Sequence, residues 1–260
     1  MKTALTIAGS DSGSGAGIQA DLKTFAAHDV YGLSAVTAVT AQNTVGVTAV
    51  HALPPDIVEA QIEAVVSDIG VDAAKTGMLA NAAIVEVVAA CVRALDVPQL
   101  VVDPVLVATS GHRLLNEDAV QKLRTELLPQ AFVTTPNRLE AEILTGRSVT
   151  STPEAREAAR RIHDLGAMSV IVTGGHFPGS QVVDILFDGE NLYELTGPRL
   201  ASQNTHGTGC AFGAAIAAVL ARGRSLVDAT ESAKKYVEEA IRHSISLGRG
   251  QGPINHLWRE

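Results

Sequence analysis

Asn204-Thr205-His206-Gly207-Thr208-Gly209-Cys210, continued by Ala211-Phe212-Gly213-Ala214-Ala215-Ile216-Ala217-Ala218-Val219-Leu220, is the stretch around which the chain is read. Gly207 and Gly209, at alternate positions, permit a tight turn with open backbone N–H groups, and the small apolar residues behind them suit a buried helix. Unpaired N–H groups at a helix start carry the positive end of its dipole, so 207–210 reads as an anion hole for a phosphate. Cys210 falls in the first turn, where a thiol is expected to have a lowered pKa and to act as base or nucleophile. The same residues equally suit a Gly-rich turn that caps a core helix, with Cys210 an inert small side chain.

Outward from this stretch, apolar strand-like runs alternate with helical patterns. That is the signature of a mostly parallel sheet covered by helices on both faces. Strands are expected at 4–8, 35–41, 73–76, 100–103, 132–135 and 169–173, with a hairpin from 182–187 and 191–195 around Asp188-Gly189. Helices are expected at 56–69 after Pro54-Pro55, and at 153–165 with Thr152 as N-cap and Pro153 in the first turn.

In open α/β sheets ligands bind beyond the carboxyl ends of the strands, and here nearly every strand runs into a polar cluster. The first meets Gly9-Ser10-Asp11-Ser12-Gly13-Ser14-Gly15-Ala16-Gly17, the second Gln42-Asn43-Thr44, the third Lys75-Thr76-Gly77-Met78. The others end in Asp103-Pro104, in Pro136-Asn137 with Glu140 one turn on, and in Thr173-Gly174-Gly175-His176. Together they are expected to line one pocket.

Composition bounds the function. The 260 residues suffice for a large core, and one α/β domain over 1–260 is expected. Hydrophobic residues make up 46% and charged residues 18%, and no apolar run approaches the ~20 residues of a membrane span. The N-terminal run enters a glycine loop without a small-residue cleavage site and reads as a first strand, not a signal peptide. Cys91 and Cys210 give no disulfide framework, which suits a reducing cytoplasm; Cys91 reads as core. A net charge of −8 without basic runs argues against nucleic acid and for a small-molecule ligand.

Gly15-Ala16-Gly17-Ile18-Gln19-Ala20 fits G-x-G-x-x-A, but the next strand ends at Gln42 where a dinucleotide fold needs an acid. No Gly-Lys pair occurs, so there is no Walker A loop. Asp21, one turn past Gly17, either points back to the pocket or is a solvated helix charge. Asp103, Asn137 and Glu140 are oxygen donors suited to Mg²⁺, and phosphoryl transfer needs such a set beside backbone donors and a group for the acceptor. The eight histidines show no metal-ligand spacing with the cysteines, and His163 and His206 read as structural.

Ala8-Gly9-Ser10-Asp11-Ser12, Gln19-Ala20-Asp21, Ala41-Gln42-Asn43-Thr44, Ala74-Lys75-Thr76-Gly77-Met78, Val102-Asp103-Pro104-Val105, Thr135-Pro136-Asn137, Gly174-Gly175-His176 and His206-Gly207-Thr208-Gly209-Cys210 form an ordered set. With the tail 247–253 it closely resembles the hydroxymethylpyrimidine/phosphomethylpyrimidine kinases of thiamine biosynthesis, of the ribokinase-like superfamily. The resemblance implies a three-layer α/β/α fold, usually a homodimer, that uses ATP and Mg²⁺. Such enzymes phosphorylate 4-amino-5-hydroxymethyl-2-methylpyrimidine and then its monophosphate. By the resemblance, Asp21 and Gln42 would hydrogen-bond the aminopyrimidine, and Gly9, Met78 and Val105 would shape its pocket. Thr173, Gly175 and Thr208 would face the nucleotide, and Cys210 would stand where other superfamily members carry an aspartate base.

Two cations common in the family are absent, since Thr109 and Thr173 stand where lysines are usual, and Ser14 replaces a glycine. Either Arg138, or His112 with Arg113, compensates at the phosphates, or these side chains are solvated surface and the site is uncompensated. Two rival readings remain: a pyridoxal or pyridoxine kinase, whose substrate is also a flat heteroaromatic with a hydroxymethyl group, and a non-catalytic pyrimidine-binding protein.

Overall fold

The computed structural model describes residues 1–106, 115–177 and 179–258. Its nine strands form one sheet in the order β3-β2-β1-β4-β5-β6-β7-β8-β9. In chain order they begin with β1 (Thr3–Asp11), α1 (Gly17–Ala27), β2 (Tyr31–Gln42), β3 (Val47–Ala52), α2 (Pro55–Asp68), β4 (Ala73–Thr76) and α3 (Ala82–Ala94). There follow β5 (Leu100–Val102), α4 (Glu117–Lys122), β6 (Val133–Thr134), α5 (Arg138–Thr145), α6 (Thr152–His163) and β7 (Val170–Val172). The chain closes with β8 (Gln181–Phe187), β9 (Leu192–Pro198), α7 (Thr208–Ala221) and α8 (Leu226–Arg242). Strands β2, β1, β4, β5, β6 and β7 are parallel; β3 on one edge and β8 and β9 on the other are antiparallel.

The strand period of two divides the core into two layers. Leu5, Ile7, Leu100 and Val102 pack with α2, α3, α4, α5 and α6, whereas Ala4, Val101, Val133 and Ile171 pack with α1, α7 and α8. Helix α7 is buried at every position from Ala211 to Ala221, since it lies between the sheet and its neighbours α1 and α8. A helix apolar all round has no solvent face, and its small residues let three elements approach it.

Three local readings change. The N-cap of α6 is Ser151, whose side chain accepts from the Glu154 N–H, so Thr152 is the first helical residue. Strand β3 is an unforeseen hairpin partner of β2; its residues are exposed or half-buried, so no apolar face announced it. The strand pattern stopped short in β1, which continues through the polar Ser10 and Asp11.

Candidate active site

A cleft of about 770 Å³ runs along the carboxyl ends of the parallel strands. Gly9, Gln42, Met78, Val105, Asp103, Asn137, Glu140, Thr173, Gly175, Gly207, Thr208, Gly209 and Cys210 all line it. The strand-end clusters therefore do meet in one cleft. Of the site residues read from sequence, Asp21 alone is absent from the lining.

The turn into α7 has the backbone expected of an anion hole. Gly207 is its N-cap with φ +86°, and a Cβ there would overlap the Gly15 carbonyl oxygen. The Thr208 N–H donates to the Thr205 carbonyl, while the N–H groups of Gly209 and Cys210 meet no acceptor among the described residues. Two free donors and the helix dipole thus converge beside Cys210.

The thiol does not follow the sequence reading. Burial pushes Cys210 up to about 12, reinforced by the Asp21 and Asp103 carboxylates, although Lys75 and the Gly17 backbone N–H pull the other way. Cys210 is half-buried, and loss of hydration there opposes the helix dipole, so the thiol is raised where the sequence reading expects it lowered.

Asp21 is the second correction. Its side chain is fully buried, accepts from Thr6 Oγ1 at 2.6 Å, and holds Lys75 Nζ at 3.0 and 3.1 Å. The carboxylate is therefore spent beneath the cleft floor and does not present itself to a ligand. Lys75 Nζ also lies 3.5 Å from Asp103 Oδ2. Burial opposes the ammonium charge, but Asp21, Cys210 and Asp103 outweigh it and raise the lysine. Gly213, one turn beyond Gly209, makes the room: a Cβ there would stand 3.2 Å from Lys75 Cε and 3.7 Å from Asp103 Cβ. Lys75 has no role in the sequence reading, yet a lysine inside Ala73-Ala74-Lys75-Thr76 is a charge in a buried strand, which demands a buried partner.

At the other wall Asn137 and Glu140 form a capping box on α5. The Asn137 side chain accepts from the Glu140 N–H at 3.1 Å and Glu140 Oε2 accepts from the Asn137 N–H at 2.9 Å, while Oε1 accepts from the Leu106 N–H. The side-chain oxygen of Asn137 is thus engaged in capping α5. Among the described residues no three acidic, histidine or cysteine side chains converge as a direct metal cage. Burial, then the Asp103 charge, raises Glu140 well above the usual carboxylate range. Asp103 is raised by burial and by Asp21, and its Oδ2 is buried without a hydrogen bond. Two crowded carboxyl groups at one wall fit a hydrated Mg²⁺, which keeps most of its waters.

At the end lined by Gln42, Asp11 organises the glycine loop. Its carboxylate accepts from the N–H groups of Gly13, Gly15 and Ala16 at 2.8 to 3.0 Å and lies 3.1 Å from His206 Nε2. Burial alone would raise Asp11, but His206 and these N–H groups overcome it and hold the carboxyl below its ordinary range. His206 Nε2 is also 3.3 Å from the Gln42 amide, and its backbone is clamped by Gly252 and Ile254. At the opposite end Lys234 Nζ meets Asp184 Oδ2 at 2.8 Å, and Asp184 Oδ1 accepts from the Gly174 N–H. Arg138 pairs with Glu142 at 3.1 Å and does not line the cleft; Thr109, His112 and Arg113 lie outside the described residues.

The family model described as phosphomethylpyrimidine kinase matches residues 11–255. The chain belongs to the phosphomethylpyrimidine kinase family. It is 49% identical to a hydroxymethylpyrimidine/phosphomethylpyrimidine kinase of Synechococcus elongatus, over 98% of this chain and 97% of that one. A thiamine biosynthesis bifunctional protein of Geobacter sulfurreducens is 51% identical over 97% of this chain, which spans 52% of that relative's length. Among solved structures, an ADP complex of Bacillus subtilis pyridoxal kinase superposes with a TM-score of 0.93 at 40% identity, covering 98% and 97% of the two chains. The fold is ribokinase-like. No helix among the described residues is long and apolar enough to cross a membrane.

Proposed function

We propose that this family member uses ATP to phosphorylate 4-amino-5-hydroxymethyl-2-methylpyrimidine, and then its monophosphate to the diphosphate, as one cytoplasmic domain. The observation that carries the reading is the anion hole of Gly209 and Cys210, set midway along a cleft that also holds Gln42, Met78 and Val105 and, further on, Thr173 and Gly175. The first group suits a flat heteroaromatic and the second a nucleotide.

In the reaction the acceptor oxygen attacks the γ-phosphorus, the bond to the β-phosphate oxygen breaks, and ADP leaves. Charge spreads over the equatorial phosphoryl oxygens, where the two N–H groups, the α7 dipole and Lys75 below stabilise it. Cys210 contributes its N–H and its shape, and the two phosphorylations in Cys210→Ala separate transfer of the acceptor's hydroxyl proton to the thiol from its transfer to the phosphoryl oxygens. A magnesium ion, when bound, supplies neutralisation of phosphate charge, and Asp103 and Glu140 are the groups that would hold it through its waters. The exposed Val39, Val47 and Val50 at the β2–β3 edge support a homodimer, checked by light scattering.

The deciding assay measures ADP release with the pyrimidine, its monophosphate and pyridoxal side by side, alongside calorimetric pyrimidine binding. Turnover of both pyrimidines supports the reading. Preference for pyridoxal, a reading favoured by the Bacillus likeness, would displace it, and binding without turnover would leave a pyrimidine-binding protein.

A further inference from the structure

The cations around the cleft differ in what neutralises them. Lys75 is held by Asp21 and Lys234 by Asp184, while Arg138 turns to Glu142. Arg199, just past β9, lines the same cleft and has no carboxylate partner among the described residues. Its guanidinium instead gathers one loop: Nε donates to the Gly179 carbonyl at 2.7 Å, Nη1 to Gly175 at 2.8 Å, and Nη2 to Phe177. Its backbone N–H completes the attachment by donating to the Ser180 carbonyl at 3.0 Å.

Neutral carbonyls accept these N–H groups without cancelling the charge. A guanidinium has five N–H donors and stays protonated, so Arg199 keeps two donors and a full positive charge on the cleft rim. The field reaches its neighbours: burial first, and then Arg138 and Arg199, hold His176 below the usual histidine range. Arg249, the other lining cation without a carboxylate, sits in the tail where Gly250 bonds to Thr44, toward the Gln42 wall. At the wall formed by Thr173, Gly175 and His176 the lining lysine, Lys234, is neutralised by Asp184.

We propose that Arg199 is a nucleotide-site residue, which anchors the loop of Gly175, Phe177 and Gly179 through its carbonyls and turns its unneutralised charge toward the phosphates of the bound nucleotide. The proposal rests on the reading of this wall as the ATP end of the cleft. Arg199 is exposed, so its removal leaves the core packing untouched.

The test compares the wild type with Arg199→Ala and Arg199→Lys by calorimetry with ATP, ADP and adenosine, and by steady-state kinetics with the pyrimidine. Arg199→Ala is expected to weaken ATP at least tenfold and ADP less. Adenosine affinity and the pyrimidine KM at saturating ATP should stay within threefold. Arg199→Lys, which restores the charge without the fork, should recover part of the ATP loss. Unchanged ATP affinity in Arg199→Ala overturns the proposal, as does an equal loss for ATP and adenosine, which would mean that the loop alone matters. A variant that loses its wild-type melting temperature is set aside for Arg199→Lys, where unchanged ATP affinity must be accompanied by loss in a charge-free Arg199→Gln. If the wild type binds none of the three ligands, the ATP reading itself fails, separately from any role of Arg199.

Discussion

Lys75 and Asp21 form an ion pair closed to water: both side chains are fully buried, with Nζ 3.0 Å from one carboxylate oxygen and 3.1 Å from the other. The pair joins strand β4 to helix α1 directly under the first turns of α7. Asp103, 3.5 Å from the same Nζ, makes it a group of one cation and two carboxyl groups.

Removing one member strands the others. Lys75→Met leaves Asp21 without its counter-charge in a dry site and is expected to destabilise the fold by about 3–5 kcal/mol. The double variant Lys75→Met/Asp21→Asn removes both charges and should recover most of that loss in a denaturant titration. Phosphoryl transfer should stay depressed in the double variant, because the Lys75 ammonium donor beside Asp103 is still gone although the pair removed was neutral. Recovery of full kcat would show that the pair serves only stability.

Asp11 provides a pH test of the glycine loop. Its carboxyl is held below the ordinary aspartate range, so the stabilisation from His206 and the loop N–H groups is fully present above that range and lost as pH falls through the lower, folded value. The stability gap between wild type and Asp11→Asn, on the order of 1–3 kcal/mol, should therefore shrink as pH falls below about 4. A gap that persists unchanged at pH 3 would mean that charge on Asp11 is irrelevant to it.

Much of this was legible in the sequence because it depends on local chemistry. Strand β4 lies where its apolar run placed it, and the polar strand ends meet in one cleft because parallel topology aligns carboxyl ends. Pairing partners were not legible. Its position one helical turn past Gly17 leaves Asp21 open between the pocket and solvent, and says nothing of Lys75, which is 54 residues away. Asn137 and Glu140 share the spacing of a metal pair and of a capping box, and only the backbone around Leu106 separates the two. The dipole at α7 suggested an acidic thiol, whereas burial among carboxyl groups reverses the sign for Cys210.

That reversal changes what Cys210→Ala should do. A base is needed only for a hydroxyl acceptor, since a phosphate acceptor is already ionised near neutral pH. With the thiol pushed up to about 12, both phosphorylations should fall by similar factors in Cys210→Ala, and iodoacetamide labelling of Cys210 should remain slow until the pH exceeds about 10. A loss confined to the first phosphorylation, with rapid labelling at pH 7, would restore Cys210 as the base.

The missing lysine at 173 yields the last prediction. Thr173 lines the cleft beside Gly175, while Arg138 is committed to Glu142, so Arg138 does not compensate from its own position. Arg138→Ala should leave the KM for ATP within twofold. Thr173→Lys places a new ammonium at the same wall, where one charge-assisted contact is worth roughly 1.5–3 kcal/mol. Repulsion from Arg199 and the entropy of a long side chain oppose it, so an ATP affinity gain of about fivefold to tenfold is expected, just below that range. The gain should shrink as salt rises, because a contact between a partly exposed lysine and phosphate is screened. Binding of ATP measured by calorimetry at low and high salt checks both points. A large ATP loss in Arg138→Ala, rescued by Thr173→Lys, would mean that the arginine leaves Glu142 when nucleotide binds.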